Sequence, residues 1–151
     1  MNYPKRKRPA QVDYETRDVP LIIFVTVCTA GRARWLASAE SHNALLAAWS
    51  QADHWVVGRY IIMPDHVHLF ASPTGESSLE RWIGYWKRLF WSGRRRRPGE
   101  KWLAGHWDTR MRNFEHYDAQ LQYVLDNPLR HGLVRNPNDW PFHGEVTPLD
   151  W

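Results

Sequence analysis

The spacing of apolar positions changes several times along the chain, and each change predicts an element. Leu21-Ile22-Ile23-Phe24-Val25-Thr26-Val27 follows a proline and is dense in β-branched residues, as suits a central strand buried on both faces. Gly31 and Arg32 to Arg34 form a loop. From Ser38 or Ser41 to about Asp53, Leu45, Leu46 and Trp49 recur at helical spacing behind a serine cap, which predicts a first helix. Trp55 to Ile62 is a second strand, broken by Gly58. At Met63-Pro64-Asp65 the chain turns, since proline supplies no ladder N–H and aspartate can bond the turn backbone. His66 to Ala71 then returns as the other arm of an antiparallel hairpin, and Pro73 to Gly75 ends it.

Ser77 and Glu80 have the spacing of a capping box and open a second helix, with Leu79, Trp82, Ile83, Trp86 and Leu89 as its buried stripe. Gly93 to Gly99 is a loop carrying Arg94, Arg95, Arg96 and Arg97, a run that repels itself unless an anion lies nearby. His106 to Met111 reads as a short edge strand. A third helix is predicted from Phe114 to Asn127, because the residue before Pro128 is pushed out of the helical region. At about 100° per residue, Phe114, Tyr117, Leu121, Val124 and Leu125 form its core face. His116, Gln120, Tyr123 and Asn127 gather on the opposite side. Tyr85 and Tyr117, by contrast, lie on apolar stripes and are expected in the core. The order β-α-β-β-α-β plus a C-terminal helix predicts a ferredoxin-like α+β fold. Helices then cover one face of an antiparallel sheet, and the other face is left for a ligand.

Composition narrows the function. The 151 residues suffice for one domain, 19–151, after a polar, basic arm at 1–18. No apolar run approaches the ~18 residues of a membrane span, and Lys5 to Arg8 is not followed by the apolar stretch of a secretory signal. The single Cys28 excludes an internal disulfide and fits the cytoplasm. A net charge of +4, clustered arginines and ten tryptophans lean toward nucleic acid, through phosphate contact and base stacking. Several of the tryptophans fall on helical stripes, however, and are core residues.

His66 and His68 carry the candidate chemistry. Alternate residues of a strand share a face, so both imidazoles project together and can converge on one divalent ion if another element adds a ligand. Histidines that merely line a polar sheet face are the plain alternative. Tyr123, pointing away from its helix's core stripe with Asn127 one turn on, is not where a packing tyrosine belongs.

Together, Met63-Pro64-Asp65-His66-Val67-His68-Leu69, Lys87, Trp107 with Arg110 and Arg112, and Tyr123 to Val134 resemble the HUH-type single-tyrosine transposases, most of all the REP-associated tyrosine transposases. Asp139-Trp140-Pro141-Phe142 resembles that branch's closing motif, with His143-Gly144 standing where serines usually do. The resemblance spans about residues 20–143. It implies cleavage and rejoining of single-stranded hairpin DNA, as in palindromic repeats, with Tyr123 as the nucleophile. It also implies Mg²⁺ or Mn²⁺ held by His66, His68 and Asn127, the last where many relatives carry glutamine. Lys87, Arg94 to Arg97, Arg110, Arg112 and Arg130 would contact DNA, with a solvated rim as the plain alternative for Lys87. On position alone, Asp65 makes the turn in preference to tuning His66, and His131 meets a helix C-terminus or else a phosphate. The protein would be a monomer, or a dimer exchanging the tyrosine helix. A catalytically silent DNA- or RNA-hairpin regulator, and a metal-dependent hydrolase using water, are the competing readings.

Overall fold

The structure is a computed structural model and describes residues 21–151. The predicted arm at 1–18 lies outside the described residues. The apolar run at the start becomes β1 (Ile23–Cys28), hydrogen-bonded on both sides. β2 (Trp55–Met63) and β3 (His66–Pro73) form the expected hairpin, and β4 (Trp107–Arg110) is the expected edge. A further strand, β5 (His143–Glu145), pairs with β2 and was not legible, because three residues including a glycine show no alternation. All pairs are antiparallel in the order β4-β1-β3-β2-β5, which contains the ferredoxin-like arrangement.

Helices α1 (Ala39–Gln51) and α2 (Leu79–Ser92) cover one sheet face. Ser38 caps α1, accepting the Ser41 N–H at 3.0 Å. α2 is capped by Ser78, not Ser77: the Ser78 hydroxyl accepts the Arg81 N–H, while the Ser77 carbonyl accepts the Trp55 indole N–H at 2.8 Å. The buried stripe of α2 is Leu79, Trp82, Ile83, Trp86 and Phe90, so Phe90 takes the place expected for Leu89. Tyr85 is exposed, against the expectation that it packs in the core. Trp49, Trp55, Trp82 and Trp86 are core residues, which is why the tryptophan load is structural for these positions.

The opposite face is not left open. Tyr117 and Leu121 of α3 (Phe114–Leu125) pack on Ile22, Phe70 and Met111. Val124 joins Ile61, Met63 and Trp140. Phe114, assigned to the core stripe, is exposed at the first position of the helix. The helix does not stop at Asn127. It breaks at Asp126 and resumes as α4 (Asn127–Arg130), with Pro128 in the first turn, where a missing N–H costs nothing. The C-terminal segment then crosses back. Trp140 donates its indole N–H to the Ile62 carbonyl at 3.0 Å, and Leu149 sits on Gly58, where an added Cβ would lie 2.6 Å from Leu149 Cγ. That glycine marks an irregularity in the β2–β3 register between Val57 and Tyr60, so it bends β2 without ending it. No described helix is long and apolar enough to cross a membrane.

Candidate metal and nucleophile site

Strand alternation places His66 and His68 on the α3 side of the sheet, both buried. Their register partners on β1 are Cys28 and Thr26. The two Nε2 atoms face each other at 3.1 Å. Each Nδ1 is occupied on the far side of its ring: His66 with Asp65 Oδ1 at 2.7 Å, His68 with Thr26 Oγ1 at 2.8 Å. These outer partners fix ring orientation and direct both Nε2 atoms inward.

The electrostatics keep both rings neutral. Burial is the main cause lowering the His66 pKa, opposed by the Asp65 hydrogen bond and charge. His68 is held well below the usual histidine range by burial, with the charges of His66, Arg32, Arg130 and His131 adding to it. Burial alone would raise Asp65, but hydrogen bonds and charge from His66 and Arg32 hold its carboxyl well below the usual range. It is therefore an anion beside His66, which makes it more than the turn residue expected from sequence.

The α3–α4 break delivers the rest of the site. Asn127 is buried, and its Nδ2 lies 3.4 Å from His66 Nε2. Arg130 Nη2 donates to Asn127 Oδ1 at 3.3 Å and also to the Tyr123 carbonyl. Its guanidinium carbon lies 3.6 Å from the Tyr123 ring centroid, and Tyr123 itself is 55% exposed. The structure thus brings His66, His68, Asn127 and Tyr123 into one neighbourhood, and adds to them Arg130, expected only as a DNA contact. Sequence reading missed Arg32, whose Nε donates to Asp65 Oδ2 at 2.9 Å from a turn where Gly31 and Arg32 both have positive φ (63° and 56°). Adjacent Gly31 was the available signal; the left-handed arginine was not visible. Thr26 was missed as well, read only as one member of an apolar strand.

The donor set fits a divalent metal. Two inward imidazole nitrogens with satisfied Nδ1 atoms and a neighbouring amide make a mixed N/O site of the kind Mn²⁺ accepts. Among the described residues no three His, Cys, Asp or Glu side chains group as a metal site, and the further polar group beside the pair is the Asn127 amide.

The remaining DNA-contact candidates divide. Arg94 is buried: it grips Glu100 through two bonds of 3.0 and 2.7 Å, donates to Ser41 Oγ at 3.0 Å and lies over Trp35. Its expected role on DNA is corrected, because no face of the guanidinium is left. Arg96 donates to the Glu100 carbonyl and covers Trp91, and Arg97 pairs with Glu40 and Glu100. Arg95 is exposed, with its backbone N–H on Glu40. The anion that this basic run required is the protein's own pair of carboxylates. Lys87 is not a solvated rim either. Its Nζ donates to the carbonyls of Leu103 and Gly105, and burial lowers its pKa to about 8 despite an opposing contribution from Cys28. Arg110 is paired with Ile23, on the α1–α2 side of the sheet, while Trp107 pairs with Thr26 on the histidine side. Arg112 is exposed at the start of α3.

A five-stranded antiparallel sheet with a helix-borne tyrosine set over a strand-borne histidine pair places the molecule among α+β proteins of one architecture. The same fold occurs in a solved REP-associated tyrosine transposase bound to a REP hairpin, at 22% identity and a TM-score of 0.68, covering 88% of this chain and 82% of that one. A transposase-like structure from Deinococcus radiodurans matches with a TM-score of 0.52 over 78% of this chain and 97% of that one, at 19% identity. In sequence, the chain is similar to the REP-associated tyrosine transposase of Escherichia coli K12, 28% identical over 106 residues, or 63% of this chain and 61% of that protein. It is also 30% identical over 110 residues to a Haemophilus influenzae protein provisionally given the same name, covering 60% and 62% of the two. The match spans about three-fifths of the length of each relative. No family model matches the chain. The resemblance carried by the histidine and tyrosine motifs is borne out by these relatives.

Proposed function

We propose that the protein is a metal-dependent endonuclease and strand transferase for single-stranded DNA at hairpins of the REP type. The observation that supports this best is the delivery of Asn127 and Tyr123, one turn apart, to the side of the sheet that holds the paired His66 and His68 nitrogens. In the reaction the Tyr123 hydroxyl attacks the scissile phosphorus, the bond from phosphorus to the 3′ oxygen breaks, and the phenol's proton ends on the departing 3′-hydroxyl. The product is a 5′-phosphotyrosine. A second 3′-hydroxyl reverses the step and rejoins DNA without ATP, since one phosphodiester has been exchanged for another.

The residues have separate tasks. Asp65 and Thr26 hold the rings of His66 and His68 turned inward, and burial keeps them neutral. Arg32 and Arg130 make the surroundings cationic, which favours a phosphate over a neutral ligand. Mg²⁺ or Mn²⁺ on His66, His68 and Asn127 would supply Lewis-acid polarisation of a non-bridging phosphate oxygen.

The test is a denaturing gel of the protein with labelled hairpin-bearing single-stranded DNA, with and without Mn²⁺. The expected result is a metal-dependent, protease-sensitive adduct that disappears in Tyr123→Phe. Cleavage without adduct in both proteins would point instead to water as nucleophile. A shifted native band with neither cleavage nor adduct would point to a hairpin-binding regulator.

A further inference from the structure

Arginine carries only hydrogen-bond donors, so the Asn127 amide atom facing Arg130 has to be the oxygen. The atom left facing His66 is then the amide nitrogen, at 3.4 Å. Nitrogen bearing two protons cannot ligate a cation. It can only donate toward His66 Nε2, since the 2.7 Å contact with Asp65 Oδ1 places that ring's proton on Nδ1. The single His66 Nε2 lone pair is then shared between the Asn127 amide and the His68 Nε2–H at 3.1 Å, with Thr26 donating to His68 Nδ1. This arrangement presents the wrong end of Asn127 to a metal. The same Arg130 also binds the Tyr123 carbonyl and lies flat against the Tyr123 ring.

We propose that Arg130 is a latch, which holds the Asn127 oxygen away from His66 and His68 until a backbone phosphate of the DNA takes its guanidinium. Arg130 is exposed on the four-residue α4, so an incoming phosphate can reach it without unfolding anything. The two non-bridging oxygens of a singly charged phosphodiester suit the guanidinium better than one neutral amide and one carbonyl, because charge-assisted bonds to phosphate are roughly twice as strong as neutral ones. Once released, Asn127 turns about its side chain and offers Oδ1 to the metal, and the Tyr123 ring loses its cover. DNA binding, metal ligation and exposure of the nucleophile are then one linked event, with Arg130 as a positioning residue. The inference rests on the metal-dependent reading of the site given above.

The test is Mn²⁺ binding to metal-stripped protein, followed by loss of the free-ion EPR signal, with folding of each variant checked by circular dichroism. Arg130→Ala should bind Mn²⁺ about tenfold more tightly than wild type without DNA, the scale of an ordinary coupling between sites. In an Asn127→Ala background, the same Arg130→Ala change should give no gain. Removal of a repelling charge alone would instead raise affinity equally in both backgrounds, and that result overturns the latch. A short single-stranded oligonucleotide should tighten Mn²⁺ binding to wild type by a similar factor beyond its effect on Asn127→Ala. Equal Mn²⁺ affinity of wild type and Arg130→Ala overturns the latch and leaves the metal site standing. No Mn²⁺ binding by either protein overturns both.

Discussion

Two groups of arginines, the Arg94–Arg97 run and the pair formed by Arg32 and Arg130, lead opposite lives. The run is the densest positive charge among the described residues, yet it spends its charge on Glu40, Glu100 and the faces of Trp35 and Trp91. Arg32 and Arg130 are scattered in sequence, yet both act on the buried histidine pair from its rim. Density of charge along a chain measures local repulsion, which folding can answer with its own carboxylates. Availability for a ligand depends on whether those carboxylates lie close, and Glu40 stands far from the run in sequence. A basic run is therefore weaker evidence for phosphate contact than a single arginine beside a neutral, buried metal-type site.

The largest effect expected from this contrast is on stability. Arg94→Ala leaves the nearly buried Glu100 carboxylate without its bidentate partner and removes the cover of Trp35. The Arg94 hydrogen bond is the chief cause keeping the Glu100 carboxyl below its ordinary range. Breaking one half of a buried pair costs about 3–5 kcal/mol. Urea denaturation should show a loss on that scale. Affinity for hairpin DNA, measured on the folded variant, should barely change. A stable Arg94→Ala with weakened DNA binding would return the run to the nucleic-acid interface.

At the site the expected losses are in ligand affinity. Asp65→Asn keeps the shape of the turn but removes the anion that holds the His66 Nδ1 proton and anchors Arg32. Outer partners of this type are worth about 10–100-fold in metal affinity. Mn²⁺ titration should read a loss in that range with little change in the urea midpoint. Unchanged affinity would show that β3 alone orients the ring.

Much of this was legible because it rests on period. The β1 run, the Trp55–Ala71 hairpin, the His66/His68 pair and the Tyr123/Asn127 face follow from alternation and the helical repeat. What stayed hidden depends on partners distant in sequence. Nothing near Lys87 announces the carbonyls of Leu103 and Gly105 that hold it, and nothing near Arg94 announces Ser41. Phe114 obeys the wheel and is still exposed, at the first position of its helix. The face expected to receive a ligand is covered by Tyr117, Leu121 and Val124, which is how the tyrosine helix is brought to the histidines.

Lys87 yields a pH signature of intermediate size. Its pKa falls from 10.5 to about 8 on folding, chiefly through burial. Between those values the unfolded chain holds the proton more tightly than the native protein does, so stability contributed by this group rises with pH across the window and is flat below it. Urea midpoints at about pH 8 and about pH 10 should therefore differ between wild type and Lys87→Met, with the rise smaller in the variant. Identical slopes would mean that Lys87 stays charged in both states, as an exposed lysine would.

The smallest effect sharpens the contrast within the run itself. Arg97 is more than half exposed, and its contacts with Glu40 and Glu100 are 3.4 and 3.8 Å long. Exposed pairs of this kind contribute about 0.2–1 kcal/mol. Arg97→Ala should cost no more than that in urea, against several times as much for Arg94→Ala three residues earlier. Its charge still faces solvent, so it can add a phosphate contact that Arg94 cannot. If it does, the slope of log affinity for hairpin DNA against log salt should fall by about 1 in Arg97→Ala. An unchanged slope would assign Arg97 to the scaffold with Arg94 and leave Arg95 as the residue of the run whose side chain is still open to phosphate.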